Sequence, residues 1–185
     1  MKRLATLAAA IAVAVATPCA AASSTSLGPD ESPAALMAAS AAVAEARDHA
    51  ADAIAGKQLK PGGYWWASDA PTDGNIEVVV SLEDQHAYVY RAGELIGVST
   101  ISSGKPGKDT PPGIFPILEK KRLHHSRKYD NAPMPYMQRL DQYGIALHAG
   151  AIPGRPASHG CVRLPAAFAA KLFAMTEVGD RVVIG

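Results

Sequence analysis

A disulfide framework cannot staple this protein together, because its 185 residues contain only two cysteines, Cys19 and Cys161, enough for one bridge at most, so a packed core must hold the fold. Long hydrophobic runs are also missing. The candidate stretch, Leu4 to Ala16, has 13 residues, short of the roughly 20 that a membrane-crossing helix needs. Neither sign of charge prevails: 18 Lys and Arg stand against 17 Asp and Glu, a formal net charge of +1, which gives strong nucleic-acid binding no basis. What remains is a chain with 48% hydrophobic residues, long enough for one domain with a real core.

The first residues read as an address. Lys2 and Arg3 precede the short apolar run, and Pro18 and the small residues Ala20 to Ala22 follow it. This is the pattern of a secretory signal peptide over residues 1–22, so we expect export to the periplasm or cell-envelope space, with a chain that is soluble after cleavage and keeps no transmembrane helix. Cys19 is expected to leave with the leader, since Pro18 before it suits lipid attachment poorly. Cys161 is then a lone thiol in an oxidising space. Such a residue is either buried and inert or reactive by design.

Residues 23–60 are rich in alanine. Pro33 marks a plausible helix start and Gly56 a plausible stop, but Leu36, Ala39, Val43, Ala50 and Ile54 form only a thin apolar stripe, so a weakly packed or spacer helix is expected. Residues 61–75 are rich in turn formers and read as a linker. From residue 76 the texture becomes β-branched and aromatic: "IEVVVSL", "HAYVYR" and "LIGVSTISS" read as short strands, followed by a Gly- and Pro-punctuated loop and another strand. "KKRLHHSRKYDNAP" reads as a polar, basic connection and its "KKRLHHSRK" run as a solvated loop, which leaves His124 and His125 outside the candidate site. "PYMQRL" and "YGIALHAG" give two further strands. "LPAAFAAKLFAM" puts Pro165 in a first helical turn with Leu164, Phe168 and Leu172 on one face, and "RVVIG" closes the chain as a strand. Residues 76–185 should therefore form a mainly β domain, a β-sandwich or partly open barrel with one C-terminal helix.

Chemistry concentrates in "LHAGAIPGRPASHGCVRLP", residues 147–165. A catalytic cysteine needs a base to deprotonate it and donors for the oxyanion formed at an attacked carbonyl. His148 and His159 are candidate bases, and Gly160 frees the backbone to bring N–H groups near a reacting carbonyl. A zinc site made of His148, His159 and Cys161 is the rival reading, although the spacing matches no common zinc signature.

This stretch resembles the active-site signature of the L,D-transpeptidases, in which a histidine and a small residue precede a loop ending in Ser/Thr-His-Gly-Cys. The likeness runs from about Ile76 to Gly185 and includes "YVYRAGELIGVSTISSGKPGKDTPPGIFPI", "MPYM" and the terminal "VGDRVVI". The resemblance implies an exported enzyme acting on peptidoglycan without a metal or organic cofactor. Cys161 would attack the third residue of a tetrapeptide stem, release D-alanine and pass the acyl group to an amine of a second stem or of a wall-anchored protein.

On the same resemblance His148 is the general base and acid, oriented by the carbonyl of Ala149. His159 serves positioning and Gly160 the oxyanion region, while Ser158, Arg163 and Tyr136 would meet substrate. Arg163 stands where many members have asparagine, and its guanidinium suits a stem carboxylate. Transfer to water instead of an amine is the alternative enzyme reading. A non-catalytic wall-binding module is the alternative of another class.

Overall fold

The computed structural model describes residues 28–185. The expected signal peptide at 1–22, the fate of Cys19 and the start of the alanine-rich segment lie outside the described residues.

Helix α1 (Pro33–Ala53) begins where the sequence signals it: the Ser32 hydroxyl accepts from the Ala35 N–H, and Pro33 occupies the first turn, where a missing N–H costs nothing. Its packing differs from the expectation of a loose spacer. Ala35, Ala39, Val43, Ala46 and Ala50 recur at intervals of three or four and are all buried, forming one stripe that packs on Val79, Tyr88, Val98 and Val183. Small side chains make this a close contact. A Cβ on Gly185 would stand 3.1 Å from the backbone of Ala39.

The sheet beneath α1 has six strands: β1 (Tyr64–Trp66), β2 (Ile76–Ser81), β3 (His86–Arg91), β4 (Glu94–Thr100), β5 (Gly113–Pro116) and β10 (Arg181–Ile184). Their order is β1-β4-β3-β2-β10-β5, antiparallel apart from the β10–β2 pair. Strand β1 falls within the expected linker. It pairs Tyr64–Trp66 with Gly97–Ser99, and the Trp66 ring meets Phe168 edge-on at 5.0 Å.

A second sheet, ordered β6-β7-β8-β9, contains β6 (Glu119–His125), β7 (Pro133–Arg139), β8 (Ala146–Ala149) and β9 (Val162–Leu164), with β8 and β9 parallel. Strand β6 corrects the reading of the basic run as a loop. It is an edge strand, exposed along most of its length, paired only with β7. Polar edge strands bury no apolar face, so they lack the alternation that reveals a strand in sequence.

The two sheets share one core. Val78, Val80, Val182 and Ile184 from the first meet Leu147, Ala149, Val162 and Leu164 from the second, together with Phe168, Ala169 and Leu172 of α2 (Ala166–Met175). Lys120 of β6 donates to the carbonyls of Phe173 and Thr176, satisfying the C-terminal end of α2 from another element. The molecule is thus α1, first sheet, core, second sheet. The outer face of the second sheet is opposite α1.

Candidate active site

Strand alternation decides which residues meet on that outer face. Leu147 pairs with Val162, His148 with Arg163 and Ala149 with Leu164. Leu147, Ala149, Val162 and Leu164 turn into the core, so His148 and Arg163 point the other way, and Cys161 has the parity of Arg163. Cys161 packs instead with Met134, Met137 and Ala146. Met134 and Met137 are three positions apart, an interval that would separate them in a regular strand. Tyr136 between them takes φ +56°, a left-handed conformation that resets the alternation.

Cys161 comes level with Ala146, two residues before His148 on the neighbouring strand. The corresponding diagonal between Cα atoms is about 8 Å, a gap that thiol and imidazole side chains can bridge. The His148 ring is 7% exposed, and its Nδ1 is 2.8 Å from the Ala149 carbonyl. That oxygen can only accept, so Nδ1 carries the proton and Nε2 is left with its lone pair.

Both groups are driven toward neutrality. Burial pushes the His148 pKa below its ordinary 6.5; the hydrogen bond to Ala149 opposes this and the Arg163 charge adds to it. Burial pushes the Cys161 thiol above 9.0, with Asp141 adding to the rise, against the Ala146 N–H and Arg163, which favour thiolate. At neutral pH the resting pair is therefore thiol and neutral imidazole. The thiol hydrogen is directed at the Gly144 carbonyl, 3.4 Å from Sγ.

The loop before Cys161 is held from several sides. Ser158, a candidate for substrate contact, has another role: it is 1% exposed, and its hydroxyl donates to the Cys161 carbonyl while accepting the Gly160 N–H at 3.1 Å. That contact also occupies the Gly160 amide. The N–H groups of His159 and Cys161 find no acceptor among the described residues, so they are the amides free to meet an oxyanion. Gly160 itself takes φ +115°, and a Cβ there would lie 2.7 Å from the Ile145 side chain.

His159 is exposed, its ring stacked on Tyr129 at 4.5 Å between centroids. Tyr136, another candidate for substrate contact, packs on Phe173 at 5.8 Å and lies beneath the Arg122 guanidinium. The site thus gathers Cys161, His148, Ala149 and Arg163, while Tyr136 serves the core. No group of three or more His, Cys, Asp or Glu among the described residues is placed to hold a metal ion.

Two residues outside the signature complete the geometry. The Thr110 hydroxyl donates to the Gly160 carbonyl at 2.8 Å and accepts the Gly104 N–H at 2.9 Å, and the residue is 4% exposed. One carboxylate oxygen of Asp141 accepts from the amides of Tyr143, Gly144 and Ile145 at 2.9, 2.7 and 2.8 Å. It thereby sets the turn whose Gly144 carbonyl faces the thiol. The sequence places Thr110 in the Gly- and Pro-punctuated loop and leaves Asp141 unassigned in the short gap between the expected strands "PYMQRL" and "YGIALHAG".

The family model of the L,D-transpeptidase catalytic domain matches residues 75–184. This chain belongs to that family. Among solved structures it is similar to an L,D-transpeptidase from Stackebrandtia nassauensis, with 31% identity and a TM-score of 0.56 over 63% of this chain and 58% of that one. An L,D-transpeptidase from Mycobacterium smegmatis shares the fold at 24% identity and a TM-score of 0.56, covering 60% of this chain and 58% of that one. A further L,D-transpeptidase, solved in complex with imipenem, is similar at 25% identity with a TM-score of 0.55, again over 60% and 58%. The chain therefore spans under two thirds of the length of each. No curated protein matches it. Among the described residues no helix is long and apolar enough to cross a membrane.

The segment around the half-buried Cys161 is tied to the chain that follows β4 by the bridges Ser102 to Arg163 and Gly104 to Ser158.

Proposed function

We propose that this chain is an exported L,D-transpeptidase that uses Cys161 to take an acyl group from a peptidoglycan tetrapeptide stem and give it to an amine. The observation that carries the reading is the arrangement of thiol, Nδ1-protonated imidazole and unpaired guanidinium on one face of adjacent strands.

In this reading His148 Nε2 removes the Cys161 proton as Sγ attacks the carbonyl of the stem's third residue. The oxyanion is met by the amides of His159 and Cys161. The imidazolium then gives its proton to the departing amine, D-alanine leaves, and a thioester remains. An acceptor amine from a second stem or a wall-anchored protein attacks the thioester, its proton passes to His148, and the sulfur departs to recover that proton. No step calls for a metal or an organic cofactor.

In the same reading Arg163 would grip a free carboxylate next to the scissile bond. Its stem lies along Gly150, where a Cβ would stand 2.9 Å from Cγ and Cδ, and no acidic side chain among the described residues pairs with it. Recognition of the terminal D-alanine carboxylate would confine the enzyme to the end of a stem.

The test is intact-mass analysis of mature wild type and Cys161→Ala with a disaccharide tetrapeptide. A wild-type thioester adduct with release of D-alanine, followed by a crosslinked dimer, is the expected result. Tripeptide without dimer would reassign the acyl group to water, and no adduct from folded protein would end the enzyme reading.

A further inference from the structure

Charge is almost balanced over the chain but not over the molecule. Residues 28–100, which build α1 and most of the first sheet, hold 4 Lys and Arg against 11 Asp and Glu. Residues 101–163, which build the second sheet and the loops around the thiol, hold 10 against 4. The acidic part includes Glu45, Asp48 and Asp52 on α1, on the side of the first sheet facing away from Cys161. The molecule is an electric dipole with its reactive end positive.

The basic residues close in on the loop before Cys161 from separate segments. Lys105 and Lys108 belong to a loop whose Gly104 bridges to Ser158, with the Lys105 amide donating to the Ser158 carbonyl at 3.1 Å. Arg127 and Lys128 come from the turn between β6 and β7, where Lys128 Nζ lies 5.7 Å from the centre of the Tyr129 ring that stacks on His159. Arg155 is on the active-site loop itself, its carbonyl fixed by the Ser102 hydroxyl at 2.8 Å. These five are exposed, and none pairs with a carboxylate among the described residues, whereas Lys121, Arg139 and Arg181 elsewhere do.

Unpaired cations drawn together on a rim repel one another, so a surface of this kind is at its lowest energy with an anion against it. We infer that the rim formed by Lys105, Lys108, Arg127, Lys128 and Arg155 is a docking surface for the carboxylate-bearing peptides of polymeric peptidoglycan. It holds the enzyme on the polymer by charge while single stems reach Cys161. The inference rests on the proposed substrate. It adds a surface that acts on the polymer and not on the scissile bond. Many stems on one polymer let such weak contacts act together, as a single soluble stem cannot.

The test uses mature Cys161→Ala protein, which cannot turn over, and purified sacculi freed of other anionic polymers, with co-sedimentation from about 20 to about 300 mM NaCl. Expected is binding that weakens at least about tenfold over that range, as screening of exposed charges requires. The same binding should be lost from sacculi whose carboxylates have been converted to amides. A variant carrying Lys105→Gln, Lys108→Gln, Arg127→Gln and Lys128→Gln on the Cys161→Ala background should bind at least about tenfold more weakly. The same four changes with Cys161 intact should leave imipenem acylation of the thiol at its wild-type rate, showing that fold and site survive.

Binding that ignores salt, survives amidation or is untouched in the variant would overturn the docking surface, as would failure of the parent protein to bind. Salt-sensitive binding by a protein that never forms a thioester with tetrapeptide would leave the surface standing and remove the transpeptidase reading instead.

Discussion

Thr110 Oγ1 lies 2.8 Å from the carbonyl oxygen of Gly160, a residue 50 positions further along the chain. A peptide unit is rigid and planar, with its C=O and N–H pointing opposite ways, so fixing the Gly160 carbonyl also aims the Cys161 amide. Thr110→Val should remove that control while keeping the volume. We expect acylation by imipenem to slow about 10- to 100-fold, the order set by loss of oxyanion alignment, with Thr110→Ser recovering most of it. Alkylation of Cys161 by iodoacetamide, which forms no oxyanion, should stay within about twofold of wild type. Equal losses in both assays would mean that the threonine only supports the loop.

The directions of the two shifts predict a broad pH plateau. His148 must be neutral to accept a proton and is held below 6.5, so the acid limb of kcat/KM should fall below that value. The thiol is held above 9.0, so the alkaline limb should begin only near or beyond it. Rates of imipenem acylation between about pH 5 and pH 10, with chemistry limiting, check both limbs. A profile centred on a narrow optimum at pH 7 would contradict the burial of the pair.

The same histidine contributes to stability with a definite sign. Between its lowered folded pKa and the unfolded 6.5, the unfolded chain holds a proton that the folded chain lacks, so this contribution is full above 6.5 and is lost as pH falls through the folded value. His148→Gln should therefore flatten the decline of Tm on the acidic side of 6.5. An identical slope in both proteins would assign the acid sensitivity to other groups.

Asp141 acts on the thiol in two separable ways. Its carboxylate takes three amides, and its charge helps to raise the Cys161 pKa. Asp141→Asn keeps an acceptor oxygen and removes the charge, so the midpoint of pH-dependent alkylation should move down while the fold is retained. Asp141→Ala strands all three donors and should cost about 3 kcal/mol or more in denaturant titration.

Helix α1 should prove inseparable from the domain. Removing residues 28–56 would expose Val79, Tyr88, Val98 and Val183 together, a patch of the kind that drives association. The truncated protein is expected to aggregate or to melt well below the full mature chain by scanning calorimetry. An unchanged Tm would return α1 to the spacer role that its sequence suggested.

Where side chains face a common core, the sequence already showed the arrangement. The β-branched run "IEVVVSL" and the stripe Leu164, Phe168, Leu172 correspond to β2 and to residues buried with α2. The alanines of α1 bury little area each, so the sequence shows only a thin stripe, yet Ala35, Ala39, Ala46 and Ala50 in register with Val43 let the helix lie flat on Val79, Tyr88, Val98 and Val183. Lys120, Arg122 and Leu123 hid β6, since an exposed edge strand has no apolar face to declare it.

In the candidate site, Cys161, His148 and Arg163 stand out in the sequence because their chemistry is carried by residue type. The expectation that Ser158 meets substrate rests on a signature that does not say which way a hydroxyl turns; in the structure its partner is the main chain three residues on. Thr110 and Asp141 were invisible as site residues for a related reason. They act through backbone groups, and sequence spacing does not show which loops touch.

Because the resting sulfur is protonated and recessed, it presents little of the anionic form that peroxides and disulfides attack. The nucleophile would exist only for the moment in which the imidazole has taken its proton and a carbonyl is already in place. That would be a form of storage, letting a lone cysteine survive contact with oxidants without a partner, a reductant or a protective disulfide. Variants that lower the thiol pKa, Asp141→Asn among them, would then be faster to react and shorter-lived in air.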